Sequence, residues 1–238
     1  MIEYVSITDI TNNLDNRRVP LNDSERSEKE SNPIYPYIGA NNIMGYIDEY
    51  LFDEKILCVA EDGGSWGALK TCAKIYNEKV WVNNHAHVLT AKNNLVLEYL
   101  MHYLNFADLS LYINGATRGK LTQASLNSIK IPLPPLDQQK KIAAILDAAD
   151  SYRQKTKALI AKYDELAQSL FLEMFGDPVR NPMGWKKESM GDLMTIVRGG
   201  SPRPIEKFIG GSNPWIKIGD ATKGEDIYLR STKEHIID

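Results

Sequence analysis

Between Ile142 and Leu170 the apolar positions fall at Ile142, Ile145, Ala149, Tyr152, Thr156, Leu159, Tyr163, Leu166 and Leu170, in alternating steps of three and four. Thr156 is the one polar member. This heptad seam predicts one strand of a coiled coil. A second, partial stripe (Leu146, Ile160, Ala167, Phe171) lies beside it. Upstream, "IPLPPLDQQ" (Ile131–Gln139) places three prolines in four residues, which forbids helix, and then offers Asp137 as an N-cap. Gly176 suits the C′ position, and Asp177-Pro178 prevents continuation. The span 138–175 is therefore expected to form a rod of roughly 57 Å at 1.5 Å per residue.

Ahead of the rod the pattern changes to short apolar runs broken by turn residues. Strands are expected at Ile56–Ala60, Lys79–Val82, His87–Ala91 and Ser128–Leu133, with turns at Gly63-Gly64 and Asn83-Asn84. A helix over Leu95–Asn105 would turn Leu97, Leu100, Met101 and Leu104 inward. These elements predict an α+β protein: a mixed α/β domain, then the long helix.

The flanks of the rod resemble each other. "EYVSITDI" (Glu3–Ile10) parallels "KKESMGDL" (Lys186–Leu193), and "NPIYPYIGANNIMGYIDEYL" (Asn32–Leu51) parallels "GSNPWIKIGDATKGEDIYL" (Gly211–Leu229). In the second pair a proline precedes an aromatic (Pro36-Tyr37, Pro214-Trp215), and a glycine turn and small pair follow (Ala40-Asn41, Asp220-Ala221). The organisation read from this is a first domain at 1–136, the helix at 137–176, a linker at 177–185, and the beginning of a second copy of the domain at 186–238.

Composition adds constraints. The chain has 238 residues, 43% hydrophobic and 25% charged, enough apolar material for a real core. The start has no basic or apolar leader pattern, and no stretch approaches the ~18 apolar residues of a membrane span, so no membrane partner is expected. Two cysteines, Cys58 and Cys72, make no disulfide framework, and the cytoplasm is the expected compartment. Net charge is −3, with 12 basic and 16 acidic residues in 1–136, so a nucleic-acid partner would need a local patch.

Little in the sequence suggests catalysis. "NPIY" (Asn32–Tyr35) resembles the signature with which amino-methyltransferases hold a flipped base, but its second proline is missing and no cofactor loop accompanies it. It reads as a turn into a strand. His85 and His87, with Cys58 and Cys72, have metal-ligand chemistry without metal-ligand spacing, and no metal site is expected. "EDGGSWG" (Glu61–Gly67) lacks the Lys-Ser/Thr of a phosphate loop. What remains suits DNA. "INGATRGKL" (Ile113–Leu121) sets Thr117, Arg118 and Lys120 around two glycines, and "RGGSPRP" (Arg198–Pro204) does the same with Arg198, Ser201 and Arg203. Arg17, Arg18, Lys70, Asn83 and Asn84 complete the candidate contacts to phosphates or base edges.

Several of these segments are familiar together. "INGATRGKLTQASLNSIKIPLPPL" (Ile113–Leu136), "IKIPLPPLDQQKKIAAILDAAD" (Ile129–Asp150), "LFLEMFGDPVRNPMGWKKESMGDL" (Leu170–Leu193) and "RGGSPRP…NPWIKIGDA" (Arg198–Ala221) resemble the specificity (S) subunits of type I restriction–modification systems. The resemblance implies a non-catalytic subunit whose target recognition domains each read half of a split DNA site, spaced by two paired helices. It implies methyltransferase (M) subunits as partners and, through them, a restriction (R) subunit. S-adenosylmethionine, Mg and ATP would belong to those partners, leaving no cofactor here. A full member has a second complete domain and a second helix. Where the chain is naturally short, the seam is expected to pair with a second copy in a homodimer. The rival expectations are a coiled-coil scaffold binding only protein, and an enzyme using Asn32–Tyr35.

Overall fold

The computed structural model describes residues 3–40, 42–115, 117–201, 203–221, 229 and 231–237. Asn41, in one of the repeated pairs, and most of the end of the second repeat (222–228) lie outside the described residues. The described chain forms two compact units, Met1–Ala167 and Gln168–Asp238.

In the first unit the elements run β1 (Glu3–Ser6), α1 (Ile7–Ile10), β2 (Thr11–Asn13), α2 (Asp23–Glu28), β3 (Tyr35–Ile38), β4 (Ile43–Ile47), β5 (Ile56–Ala60), β6 (Ala73–Tyr76), β7 (Trp81–Val82), β8 (Ala86–Ala91), α3 (Leu97–Phe106), α4 (Gln123–Ser128), β9 (Lys130–Leu133) and most of α5 (Leu136–Phe175), whose residues 168–175 fall in the second unit. β2, β8, β5 and β6 form an antiparallel four-stranded sheet, and β4, β3 and β7 a three-stranded one. β1 pairs antiparallel with β9, so the first strand closes on the last before the helix.

The continuous apolar run of β5 has a physical reason. Leu57 and Val59 face a core shared with Ile7, Ile10, Leu100, Leu104 and Leu126, where α1, α3 and α4 cover the sheet. Ile56 and Cys58 face a second core with Ile38, Phe52, Val80 and Val82, contributed by the smaller sheet and its loops. A strand covered on both faces alternates between two apolar layers rather than between apolar and polar.

The proline stop works as expected, but the cap differs. Helix α5 begins at Leu136, so Asp137 lies in its first turn and is not the N-cap. The carbonyl of Pro135 instead accepts from the amides of Gln138 and Gln139, at 2.9 and 3.1 Å. At the far end Gly176 has φ +74 and its amide returns to the Leu172 carbonyl at 2.9 Å, the left-handed termination its position predicted.

The face that α5 turns to its domain is not the seam. Its buried residues are Gln139 and Ala143. Ile142, Ile145, Tyr152, Leu159, Tyr163, Leu166 and Leu170 are all exposed, Ile145 by 68% and Tyr152 by 73%. Ala149 is exposed as well. Within the first unit the seam therefore stays uncovered by residues 1–135.

In the second unit the elements are α6 (Met190–Leu193), β10 (Ile209–Trp215), α7 (Ile218–Ala221) and β11 (Glu234–Ile236), with β10 and β11 antiparallel. In both flanks of the long helix a serine precedes a one-turn helix. Ser6 precedes the one-turn α1, its amide donating to Asp9 at 3.1 Å. Ser189 caps the one-turn α6 by accepting from the Gly191 amide at 3.3 Å. Among the described residues no helix is long and apolar enough to cross a membrane.

Candidate nucleic-acid interface

Four chain segments far apart in sequence converge beside the end of β5. The Glu61 amide donates to the His85 carbonyl (2.9 Å), and the Leu121 amide returns to the Glu61 carbonyl (2.7 Å). The Gly63 amide donates to Gly119 (3.2 Å), while Asn114 and Lys120 exchange backbone hydrogen bonds at 2.9 and 2.7 Å. The loops 60–64, 83–87 and 114–121 are thus stitched together main chain to main chain. Gly63 has φ +65, the left-handed region that favours glycine, and the Arg118 guanidinium lies close over it, 2.8 Å from where a Cβ would stand. The fourth segment, 13–18, joins through the Leu14 amide, which donates to Val88 at 2.8 Å.

The side chains at this junction form a charge network. Arg18 is central: Nε donates to the Asp15 carbonyl (3.0 Å), and Nη1 to Glu61 Oε2 (2.6 Å) and the Ala86 carbonyl (2.7 Å). His87 is 1% exposed, with Nδ1 2.6 Å from Asp15 Oδ2 and Nε2 2.7 Å from the Leu121 carbonyl. The ring therefore bridges the Asp15 carboxylate on one side and a main-chain carbonyl on the other. Burial pushes the Asp15 carboxyl up, but hydrogen bonds from His87, the Val88 amide and Asn13 outweigh it and hold the group below its ordinary value. Glu61 behaves alike: burial raises it, and Arg18 and Lys120 bring it below the carboxylate norm.

Outward from this network sit two exposed cations on carboxylate tethers. Arg118 Nη2 is 2.8 Å from Asp62 Oδ1, and Lys120 Nζ is 3.1 Å from Glu61 Oε1. Arg118 is 64% exposed against 17% for Asp62, so the cation faces solvent and its partner backs it. His85 Nδ1 lies 2.9 Å from the same Asp62 carboxylate. Thr117 and Asn84 are exposed nearby in the same stitched loops.

Each sequence candidate thus has a definite place. Arg18, Arg118, Lys120, Thr117 and Asn84 belong to one cluster. The Arg18 guanidinium is committed inside the fold, and Asn83 is buried, its Oδ1 accepting from the His85 amide at 2.8 Å. Arg17 is held elsewhere, 2.5 Å from Glu54, donating to the Leu51 carbonyl at 3.0 Å and lying over the Phe52 ring. Lys70 is exposed, outside the stitched loops. Arg198, Ser201 and Arg203 are exposed on the second unit. Tyr35 of "NPIY" opens β3 and meets the Tyr50 ring edge-on at 5.0 Å, a packing role.

The metal question also changes shape. Cys58 and Cys72 are buried free thiols in different cores, and burial pushes Cys72 up to about 12. They share no centre with the histidines. A closer donor set is Asp15, Glu61 and His87, whose ligand atoms lie within 4.8 Å of one another. Arg18 and Lys120 already neutralise Glu61, and the Leu121 carbonyl engages the free side of His87. The set reads as an ion-paired strut. Glu61 and Asp62 orient the cations, and nothing local in the loop sequence marks them for it, because their partners lie more than fifty residues away.

A sequence family described as "Type I restriction modification DNA specificity domain" matches residues 2–162. A Haemophilus influenzae chain provisionally named type I restriction enzyme specificity subunit S.HindORF215P is 36% identical over 148 residues, covering 62% of this chain and 37% of the relative. The type I restriction enzyme EcoprrI specificity subunit of Escherichia coli is 30% identical over 125 residues, covering 52% and 30%. The matched region therefore spans about a third of these curated relatives. A crystal structure of a type I restriction–modification S subunit from M. genitalium superposes with a TM-score of 0.59 at 14% identity, over 100% of this chain and 63% of that one. That likeness is one of fold.

Proposed function

The chain belongs to the type I restriction modification DNA specificity family, and from that premise we propose that it is a non-catalytic cytoplasmic subunit reading half of a split duplex target. Residues 1–136 are the reader, 137–176 the spacer helix, 177–185 a linker, and 186–238 the start of a second reader. The exposed seam pairs with a like helix from a second copy of the chain, and that pairing sets the distance between half-sites. Methyltransferase subunits dock on this frame and bring S-adenosylmethionine. A restriction subunit joins through them with its own ATP and Mg.

The observation that carries this reading is the division of labour on α5. One face fastens to the reader through Gln139 and Ala143, while the seam from Ile142 to Leu170 remains open. Leaving eight apolar heptad positions wet costs hydrophobic free energy, so a partner helix is expected. Light scattering tests it: a dimer is expected at micromolar concentration, and a clean monomer counts against the pairing.

The rival scaffold reading draws on one observation, that the exposed cations of the cluster already face carboxylates. Selection from random duplex libraries with methyltransferase subunits present separates the two. Enrichment of a split sequence supports recognition, and no enrichment leaves a scaffold. Arg118→Ala and Lys120→Ala should then weaken binding similarly on all sequences, each lowering the salt dependence by about one counterion. Anisotropy titrations across ionic strength measure it. An unchanged slope in both variants removes these residues from the interface.

A further inference from the structure

The start of α5 is attached to the reading domain along a single line of its surface. Gln139, Ala143 and Asp147 recur four residues apart, which stacks them on one face. Gln139 is 1% exposed and its amide is fully used. Its Oε1 accepts from the Val96 amide at 2.8 Å, and its Nε2 donates to the carbonyls of Asn94 (3.0 Å) and Pro134 (2.8 Å). Val96 is the residue that caps α3, so the side chain of one helix completes the start of another. Ala143 packs into the main core. Asp147 Oδ1 then lies 2.7 Å from Nε2 of His102, a buried residue on α3.

One contact makes a pivot, whereas two along the same rod fix its direction. Gln139 and Asp147 are about 12 Å apart along α5 at helical rise. They engage α3 at its cap and at His102. We infer that Gln139 and the His102–Asp147 pair are positioning residues that fix the spacer's direction and so make the gap between half-sites a selected quantity. The inference rests on the spacer reading above.

Magnitude explains why stiffness matters. Asp147 to Leu166 is about 29 Å of helix, so a swing of about 7° moves the seam by ~3.4 Å, one base-pair step. Without the Asp147 contact the rod is held only at Gln139 and Ala143, about 6 Å apart. Half the lever that resists tilting is gone.

The test uses the full chain with methyltransferase subunits and duplexes whose gap is varied one base pair at a time. In His102→Ala, Asp147→Ala and Gln139→Ala, selectivity between neighbouring gaps is expected to fall by about tenfold, the weight of a lost charge-assisted or buried hydrogen bond. Half-site sequence preference should be unchanged, a split that general destabilisation does not produce. The exchanged pair, His102→Asp with Asp147→His, should restore selectivity and thereby excludes misfolding as the cause. Nitroxides at Ser110→Cys and Lys162→Cys should show a broader distance distribution in the alanine variants. A wild type indifferent to gap length overturns the spacer reading and this inference with it. A wild type that selects its gap, with alanine variants selecting as sharply, overturns the inference alone.

Discussion

A heptad inserted in phase after Lys157 is expected to raise the preferred gap between half-sites by about 3 base pairs, since seven residues add ~10.5 Å of helix against ~3.4 Å per pair. The site lies beyond Asp147, so the attachment to the reader is untouched, and the seam keeps its register because the insert repeats its period. Phase makes a second demand. Three base pairs turn the far half-site by about a third of a helical turn, whereas a heptad turns the seam by only ~20°. The residual twist falls on the DNA, so the lengthened protein should bind its new site more weakly than the parent binds its own. Three heptads add ~31.5 Å, close to one full turn of the duplex, and affinity should recover relative to the single insert. Binding across a gap series reads both effects. A preferred gap unmoved by the single heptad removes the spacer role.

What the sequence made legible follows from the kind of signal each element carries. β5 was readable at both ends because five consecutive apolar residues feed two cores. The rod was readable because its termini are enforced by proline and glycine chemistry. Helix α3 begins two residues later than its pattern suggested, at Leu97, because the Val96 amide is satisfied from outside by Gln139. No local pattern announces a cap supplied from 43 residues away. Helix α2 has no buried residue to mark it, and rests on a capping box in which the Asn22 side chain accepts from the Glu25 amide at 2.9 Å and the Asn22 amide donates back to Glu25 at 2.8 Å. The Asn-x-x-Glu spacing is the one sequence signal that marks it. At the site, Arg118, Lys120 and Arg18 are alike candidate DNA contacts in the sequence, but the Arg18 guanidinium is paired inside the fold with Glu61. A sequence shows the charge and not the partner, and only burial separates an arginine that holds the fold from one that faces solvent.

That distinction makes Arg18, of the cations read as DNA contacts, the one whose loss should cost the fold most. Arg18→Ala leaves Asp15 and Glu61 largely covered, 10% and 12% exposed, and facing one cation fewer. Breaking one side of such a buried network costs about 3–5 kcal/mol, which for a domain of this size lowers the melting temperature by about 10 °C or more. Arg18→Lys should recover only part, because one ammonium cannot serve Glu61 and the carbonyls of Asp15 and Ala86 at their separate positions. The pH dependence identifies the cause. Asp15 and Glu61 are both held below their ordinary values in the fold. A depressed carboxyl contributes its stability in full above the unfolded value of about 4, and loses it as pH falls through the folded value. In the alanine variant Glu61 loses the first of the two cations that oppose its burial, while Asp15 keeps His87, the Val88 amide and Asn13, so it is Glu61 that protonation relieves at low pH. The gap in melting temperature between wild type and Arg18→Ala should therefore be widest near neutrality and close as pH falls below about 4, through the lowered folded value of Glu61. Thermal melts at the two ends of that range measure it. Equal losses at both would assign the effect of Arg18 to packing alone, because only an ionic strut is dismantled by the same protons in both proteins.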